Sequence, residues 1–337
     1  MKLNATIFRL LPLLALLQAG LYSCDTIHED LPPCRHYLHF CYTYNMKYAD
    51  AFDHEMASQP KDCYAELYVY DEAGKFLSSL SFDPAQPEAA RIPIDLPPGN
   101  YQLMAWCGLN DTDYTWNTPQ TGDLLADWKI AVNKEPDATV SRELAGLFQG
   151  QMSLTIPTDS EDDIVFPLVK NTNKIRLVLI DTNSGTTPID ADAFAVEATT
   201  ANSDLDYRNE SLADTTILWK PYYRGTGRVN DADGQQVYTA AVYELNTLSL
   251  LEGTPTSLRI THKSEATPFL DVDLTGFLLL TRMESHNISA QEYLDRQDEY
   301  TVLVYLDMTG GKAHYLQIIV NDWTIRLDDV NLGRKES

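Results

Sequence analysis

Bases are scarce in this chain: 25 Lys and Arg stand against 49 Asp and Glu, a formal net charge of −24. An excess of that size repels phosphate backbones and anionic headgroups, so nucleic-acid binding is not expected and the acidity reads as a solubility device. Beyond residue 24 no apolar run approaches the roughly 18 residues of a membrane-spanning helix, so none is expected in the body of the chain. Short catalytic signatures are missing too. There is no G-x-x-x-x-G-K-[ST], no G-x-S-x-G (Ser184 has the wrong flanks), no H-E-x-x-H and no C-x-x-C. Gly225-Thr226-Gly227 is a lone G-x-G and reads as a loop. Asp231-Ala232-Asp233-Gly234 lacks the third acidic position and the distal Glu of a calcium loop, so it reads as a turn. Glu161-Asp162-Asp163 reads as a solvated linker, not as a working carboxylate pair. No enzymatic activity, cofactor or metal is expected.

What is present begins at the amino end. Lys2 and Arg9 flank a short apolar core, Leu10 to Leu17, and Gln18-Ala19-Gly20 leads out of it, the pattern of an export signal over residues 1–23. Leu21-Tyr22-Ser23-Cys24 then resembles the bacterial lipobox, with Tyr22 in place of the usual small residue before Ser23. Removing the leader leaves 23 bases against 49 acids, a net charge of −26. Two or three acyl chains on Cys24, at about 0.8 kcal/mol per buried methylene, make a stable anchor. Residues 24–35, with Asp25, Glu29, Asp30, Pro32 and Pro33, read as the lipidated cysteine and a tether. Cys34, Cys41, Cys63 and Cys107 remain, and in an exported chain they suggest up to two disulfides with three possible pairings, among which spacing does not choose.

Helical periodicity is weak, with Tyr48–Met56 the best short candidate of the first half and Glu292–Gln297 a brief helical turn later, whereas alternating strands recur throughout. Tyr37–Tyr44, Ala65–Tyr70 turning at Asp71–Gly74 into Lys75–Leu77, Tyr101–Trp106, Lys129–Val132 and Met152–Ile156 form one set. A polar, acidic stretch, Thr158–Asp163, marks a boundary, after which Val165–Val169, Ile175–Ile180, Val237–Tyr243, Ser257–Thr261, Thr301–Leu306 and Tyr315–Val320 form a second. The expected fold is all-β, with two tandem sandwiches over 36–160 and 161–337. Most aromatics, Trp106 and Trp128 among them, sit in alternating strands and read as core. Trp219-Lys220-Pro221-Tyr222-Tyr223-Arg224 is the least strand-like cluster, so Trp219, Tyr222 and Tyr223 are candidate partner contacts. Val320–Asp328 alternates near the end of the chain and is a candidate donor or edge strand, which brings in Trp323 and Ile325.

Several blocks together resemble the FimB-type fimbrial anchor (minor fimbrial) lipoproteins of the Bacteroidetes. They are Cys24 followed by Glu29–Cys34; Tyr42–Phe52; Leu67–Gly74; Leu96–Tyr101 with Ala105–Leu109; Glu292–Tyr300; and Ile319–Trp323. Tyr70 stands where the family often has Phe. Cys107 stands where it often has a small residue, which fits a disulfide of this branch. The resemblance implies transthyretin-like β-sandwiches, an outer-membrane lipid anchor, and capture of a pilin by strand addition, which needs backbone hydrogen bonds and side-chain pockets but no reactive residue. The resemblance implies that stalk pilins of the family lose an N-terminal strand to an Arg-specific protease; Arg142 is a candidate cut site, but an anchor is expected to stay intact and no cleavage is expected. The alternative reading is a surface glycan-binding lipoprotein using Trp219 and Tyr222.

Overall fold

A computed structural model describes residues 36–46, 50–83, 91–158, 162–183, 187–212, 216–230, 237–282, 287–309, 313–321 and 323–325. The leader, Cys24, the tether, Cys34 and the 231–234 turn lie outside the described residues. The first sandwich pairs a three-stranded sheet, ordered Asp163–Pro167, His36–Cys41, Ile92–Ile94, with a five-stranded one, ordered Val169–Lys170, Phe148–Ile156, Gly99–Leu109, Tyr64–Asp71, Phe76–Phe82. Their inner faces meet in a core that includes Leu38, Phe40, Leu67, Val69, Leu103, Phe148 and Phe166. The expected hairpin is there. Gly74, at φ +77°, closes its turn, where Asp71 accepts from the Gly74 N–H through its carbonyl and from the Lys75 N–H through its side chain.

The second sandwich pairs a six-stranded sheet with a five-stranded one. The former is ordered Tyr223–Asn230, Val237–Leu248, Thr172–Asp181, Glu299–Asp307, His314–Val320, Trp323–Ile325. The latter is ordered Leu270–Val272, Ser257–His262, Phe194–Thr200, Ile217–Trp219, Thr139–Val140. Three short α-helices are present among the described residues. Phe52–Ala57 buries Phe52 and Met56 in the first core. Leu274–Leu279 and Ala290–Arg296 start at Asp273 and Ser289, whose side chains accept from the Gly276 and Glu292 N–H groups.

The all-β, two-sandwich expectation holds, but the halves are interlocked and not simply consecutive. Thr139–Val140 runs parallel to Leu218–Trp219 and extends the second sandwich. In return, Asp204–Asp206 pairs with Lys129–Ala131 in a small sheet of the first half, completed by Tyr114–Trp116. The outer face of the five-stranded sheet, with Tyr68, Tyr70, Met104 and Trp106, packs on Trp128 and Ile130, and this cluster is continuous with the second core. The Trp106 and Trp128 rings stack 4.7 Å apart. Two structural details depart from the sequence reading. Asp163–Pro167 pairs in parallel with Tyr37–Cys41, so a strand expected to open the second sandwich belongs to the first. Gly225-Thr226-Gly227 is not a loop but part of Tyr223–Asn230, the outermost described strand of its sheet, where a Cβ at Gly225 would meet the Tyr223 hydroxyl at 2.6 Å.

Candidate functional site

The expected contact cluster separates into inside and outside. Trp219 is 1% exposed, and its indole Nε1 donates to Thr200 Oγ1 at 2.9 Å. It is a core residue of the second sandwich and no partner contact, because Ile217–Trp219 is a central strand with neighbours on both sides. Tyr222 is half-buried; its hydroxyl donates to Glu244 Oε2 at 3.1 Å, and Lys174 Nζ lies 5.6 Å from the ring centre. Burial pushes the Tyr222 hydroxyl up to about 12. Tyr223 remains exposed at the sheet edge. The backbone of Trp323–Ile325 forms the opposite edge, pairing with Ile318–Val320.

Cys41, Cys63 and Cys107 are free thiols, which removes the pairings among these three. Cys107 is fully buried inside the first core, and Cys63 is buried with Asn110 Nδ2 at 3.7 Å from its sulfur. Burial, reinforced by Asp62 and Asp113, pushes the Cys63 thiol up to about 12. Burial alone raises Cys107 further. Arg142 is held in place: its Nε donates to Asp113 Oδ1 at 2.9 Å and its Nη2 to the Asn133 carbonyl at 2.8 Å. A protease reaching for this side chain must first break a partly buried ion pair.

Between the halves lies a cleft of about 480 Å³ lined by Glu55, Glu143, Lys170, Lys174, Asn246 and Glu299 among others. At its base the Lys170 ammonium sits 2.9 Å from both Glu55 Oε2 and Asp298 Oδ2, joining the first helix, the first sandwich and the second. The carboxylates of Glu55, Asp298 and Glu299 cluster closely enough to resemble a cation site, but the ammonium of Lys170 already fills that role for two of them. Chemically this is an electrostatic clasp between the sandwiches. Sequence reading missed it, because three residues separated by more than a hundred positions converge only through the fold.

Among the described residues the three large sheets end in six edge strands: Phe76–Phe82 and Val169–Lys170, Tyr223–Asn230 and Trp323–Ile325, and Leu270–Val272 and Thr139–Val140. No helix among the described residues is long and apolar enough to cross a membrane. A family model for the fimbrillin-A associated anchor proteins Mfa1 and Mfa2 matches residues 31–329. The chain belongs to this anchor family. Solved structures agree with the assignment. A candidate adhesin from Bacteroides thetaiotaomicron is 27% identical with a TM-score of 0.74, over 88% of this chain and 99% of that one. A candidate polysaccharide-binding protein from the same organism is 28% identical with a TM-score of 0.71, over 87% and 98%. The fimbrial anchor protein Mfa2 of Porphyromonas gingivalis shares the fold at 16% identity, with a TM-score of 0.62 over 88% and 99%. No curated protein matches the chain in sequence. As a member of the anchor family, the chain is a fimbria-associated cell-surface protein. Its family is of the anchor and adhesin type, for which no catalytic chemistry is indicated.

Proposed function

We propose that this member of the anchor family is an outer-membrane lipoprotein, tethered by acyl chains on Cys24 and displayed at the cell surface, that roots a fimbria by binding a pilin through strand-edge contacts. The observation that carries the reading is the match of the anchor family to residues 31–329, with a lipobox-like Cys24 and an acidic tether directly ahead of it. The interlocked sandwiches suit the task. A pull on one half is resisted by strands lent to the other, by the Lys170 clasp and by one continuous core. Strand addition requires only unpaired backbone groups at a sheet edge, and the outermost strands of the large sheets offer them.

The test isolates the lipoprotein from membranes of cells fed labelled palmitate. Label on the wild type but not on a Cys24→Ala variant, together with co-isolation of a fimbrial subunit, is the expected result. An unlabelled wild type with a free thiol at Cys24 would contradict the anchoring. A second reading, glycan capture, is favoured by the 28% identical candidate polysaccharide-binding protein. Burial of Trp219 takes away half of the aromatic pair that reading had named, leaving Tyr222 half-buried and Tyr223 exposed. Glycan-array binding that is lost in Tyr222→Ala would favour it.

A further inference from the structure

The edge strands differ in how well they are protected, and Val169–Lys170, Thr139–Val140 and Leu270–Val272 are only two or three residues long. Natural edges are blunted by charge, brevity, proline or broken regularity. Tyr223–Asn230 carries Arg224 and Arg228 and is interrupted by Gly225 and Gly227, and Trp323–Ile325 is three residues long. Phe76–Phe82, Phe-Leu-Ser-Ser-Leu-Ser-Phe, has no charge and no proline over seven residues, and five of them, Leu77 to Ser81, are exposed.

Its hydrogen bonding is half spent. On the inner side it pairs with Ala65–Tyr70, with a bulge that skips Leu77. On the outer side Phe76 is used: its N–H donates to the Asp123 carbonyl at 2.8 Å and its carbonyl accepts from the Gly122 N–H at 3.3 Å. Antiparallel alternation, carried past the bulge, then turns the N–H and C=O of Ser79 and Ser81 outward, where no described strand meets them. Leu80 and Phe82 share the face of the first core. Phe82 stacks on Phe40 at 5.6 Å, while Leu80 is 41% exposed and forms an apolar step at the open side of the sandwich. Acids ring the strand, with Asp71 and Glu72 at the turn, Glu66 opposite Ser81, Asp83 after it and Asp123 beside Phe76, against a single base, Lys75.

Resting on the anchor reading above, we propose that the Ser78–Phe82 edge is the docking strand, and that its occupant is an extended segment of a fimbrial subunit. That segment is uncharged over about five residues, places one apolar side chain against Leu80, and carries Lys or Arg at its ends to meet the acidic ring. The backbone donors and acceptors of Ser79 and Ser81 supply the hydrogen bonds, Leu80 the register, and the acids the orientation.

The experiment uses the lipoprotein purified from membranes in detergent and the fimbrial subunit from the same surface. Ser79→Pro removes an outward N–H without touching the inner ladder, and Leu80→Lys puts a charge on the apolar step; a melting curve checks that each is folded. Both are expected to raise the dissociation constant at least tenfold, Ser79→Ala to leave it unchanged, and the amides of Ser79 and Ser81 to exchange at least tenfold more slowly in the complex. Capture by the wild type that Leu80→Lys and Ser79→Pro leave intact would overturn this edge and spare the anchor reading. Failure of the wild type itself to capture the subunit would overturn both.

Discussion

Replacing Trp219 by alanine separates a core role from a contact role. The indole is buried between Ala198 on one neighbouring strand and Val140 on the other, with Nε1 bonded to Thr200. Removing a buried Trp costs about 3–5 kcal/mol, and the lost hydrogen bond adds about 1 kcal/mol, less some relaxation. A loss of about 4–5 kcal/mol is a large fraction of the stability of most domains. At roughly 2–3 °C per kcal/mol for a body of this size, Tm falls by about 10 °C. Because Trp219 lies where Thr139–Val140 of the first half is docked, both halves are expected to lose stability together, in one transition. The assay is scanning calorimetry of the wild type, Trp219→Ala and Tyr223→Ala. Tyr223→Ala, at a side chain 49% exposed, is expected to change stability by less than about 0.5 kcal/mol. A Trp219→Ala protein melting within about 2 °C of the wild type would refute the burial and the strand exchange built on it.

Lys170→Met leaves Glu55 and Asp298 facing each other without their shared cation; side-chain exposures of 14% and 6% make that expensive, about 3 kcal/mol, and adding Glu55→Gln and Asp298→Asn should recover most of it in urea unfolding. Peptide mapping without reductant is expected to find no bond among Cys41, Cys63 and Cys107, and thiol reagents to reach Cys63 and Cys107 only on unfolding, since burial holds both in the neutral form. Limited digestion with an Arg-specific protease should leave the 142–143 bond whole in Arg142 wild type and cut it faster in Asp113→Ala, read by mass spectrometry. Asp50 opposes burial with hydrogen bonds from Cys41 and from the Phe52 and Tyr42 amides, which together hold its carboxyl below the usual 3.8. A lowered value means stability present above 3.8 and lost as pH falls through the folded value. The destabilisation caused by Asp50→Ala should therefore be full at pH 7 and fade only in strong acid.

Long alternating strands were legible because burial imposes their period. Tyr64–Asp71, Gly99–Leu109, Thr172–Asp181 and Glu299–Asp307 all fall where the sequence alternates or runs apolar. Short strands were not. Thr139–Val140 and Asp204–Asp206 are too brief to show a period, and their places are set by a partner far along the chain. Leu274–Leu279, Leu-Thr-Gly-Phe-Leu-Leu, is too short to show helical over strand periodicity until Asp273 caps it. The boundary after residue 160 was set by the acidic run, but the next strand, Asp163–Pro167, returns to the first sandwich to cover His36–Cys41. The contact cluster failed at Trp219 for a related reason. Pro221 breaks the strand just after the indole, so a buried residue sits in a stretch that looks irregular.

The decisive measurement is where fimbriae go when Cys24 cannot be acylated. Cells carrying Cys24→Ala should make fimbriae of normal subunit composition and shed most of them into the medium, while wild-type cells retain them. Equal retention by both strains would contradict lipid anchoring through this chain.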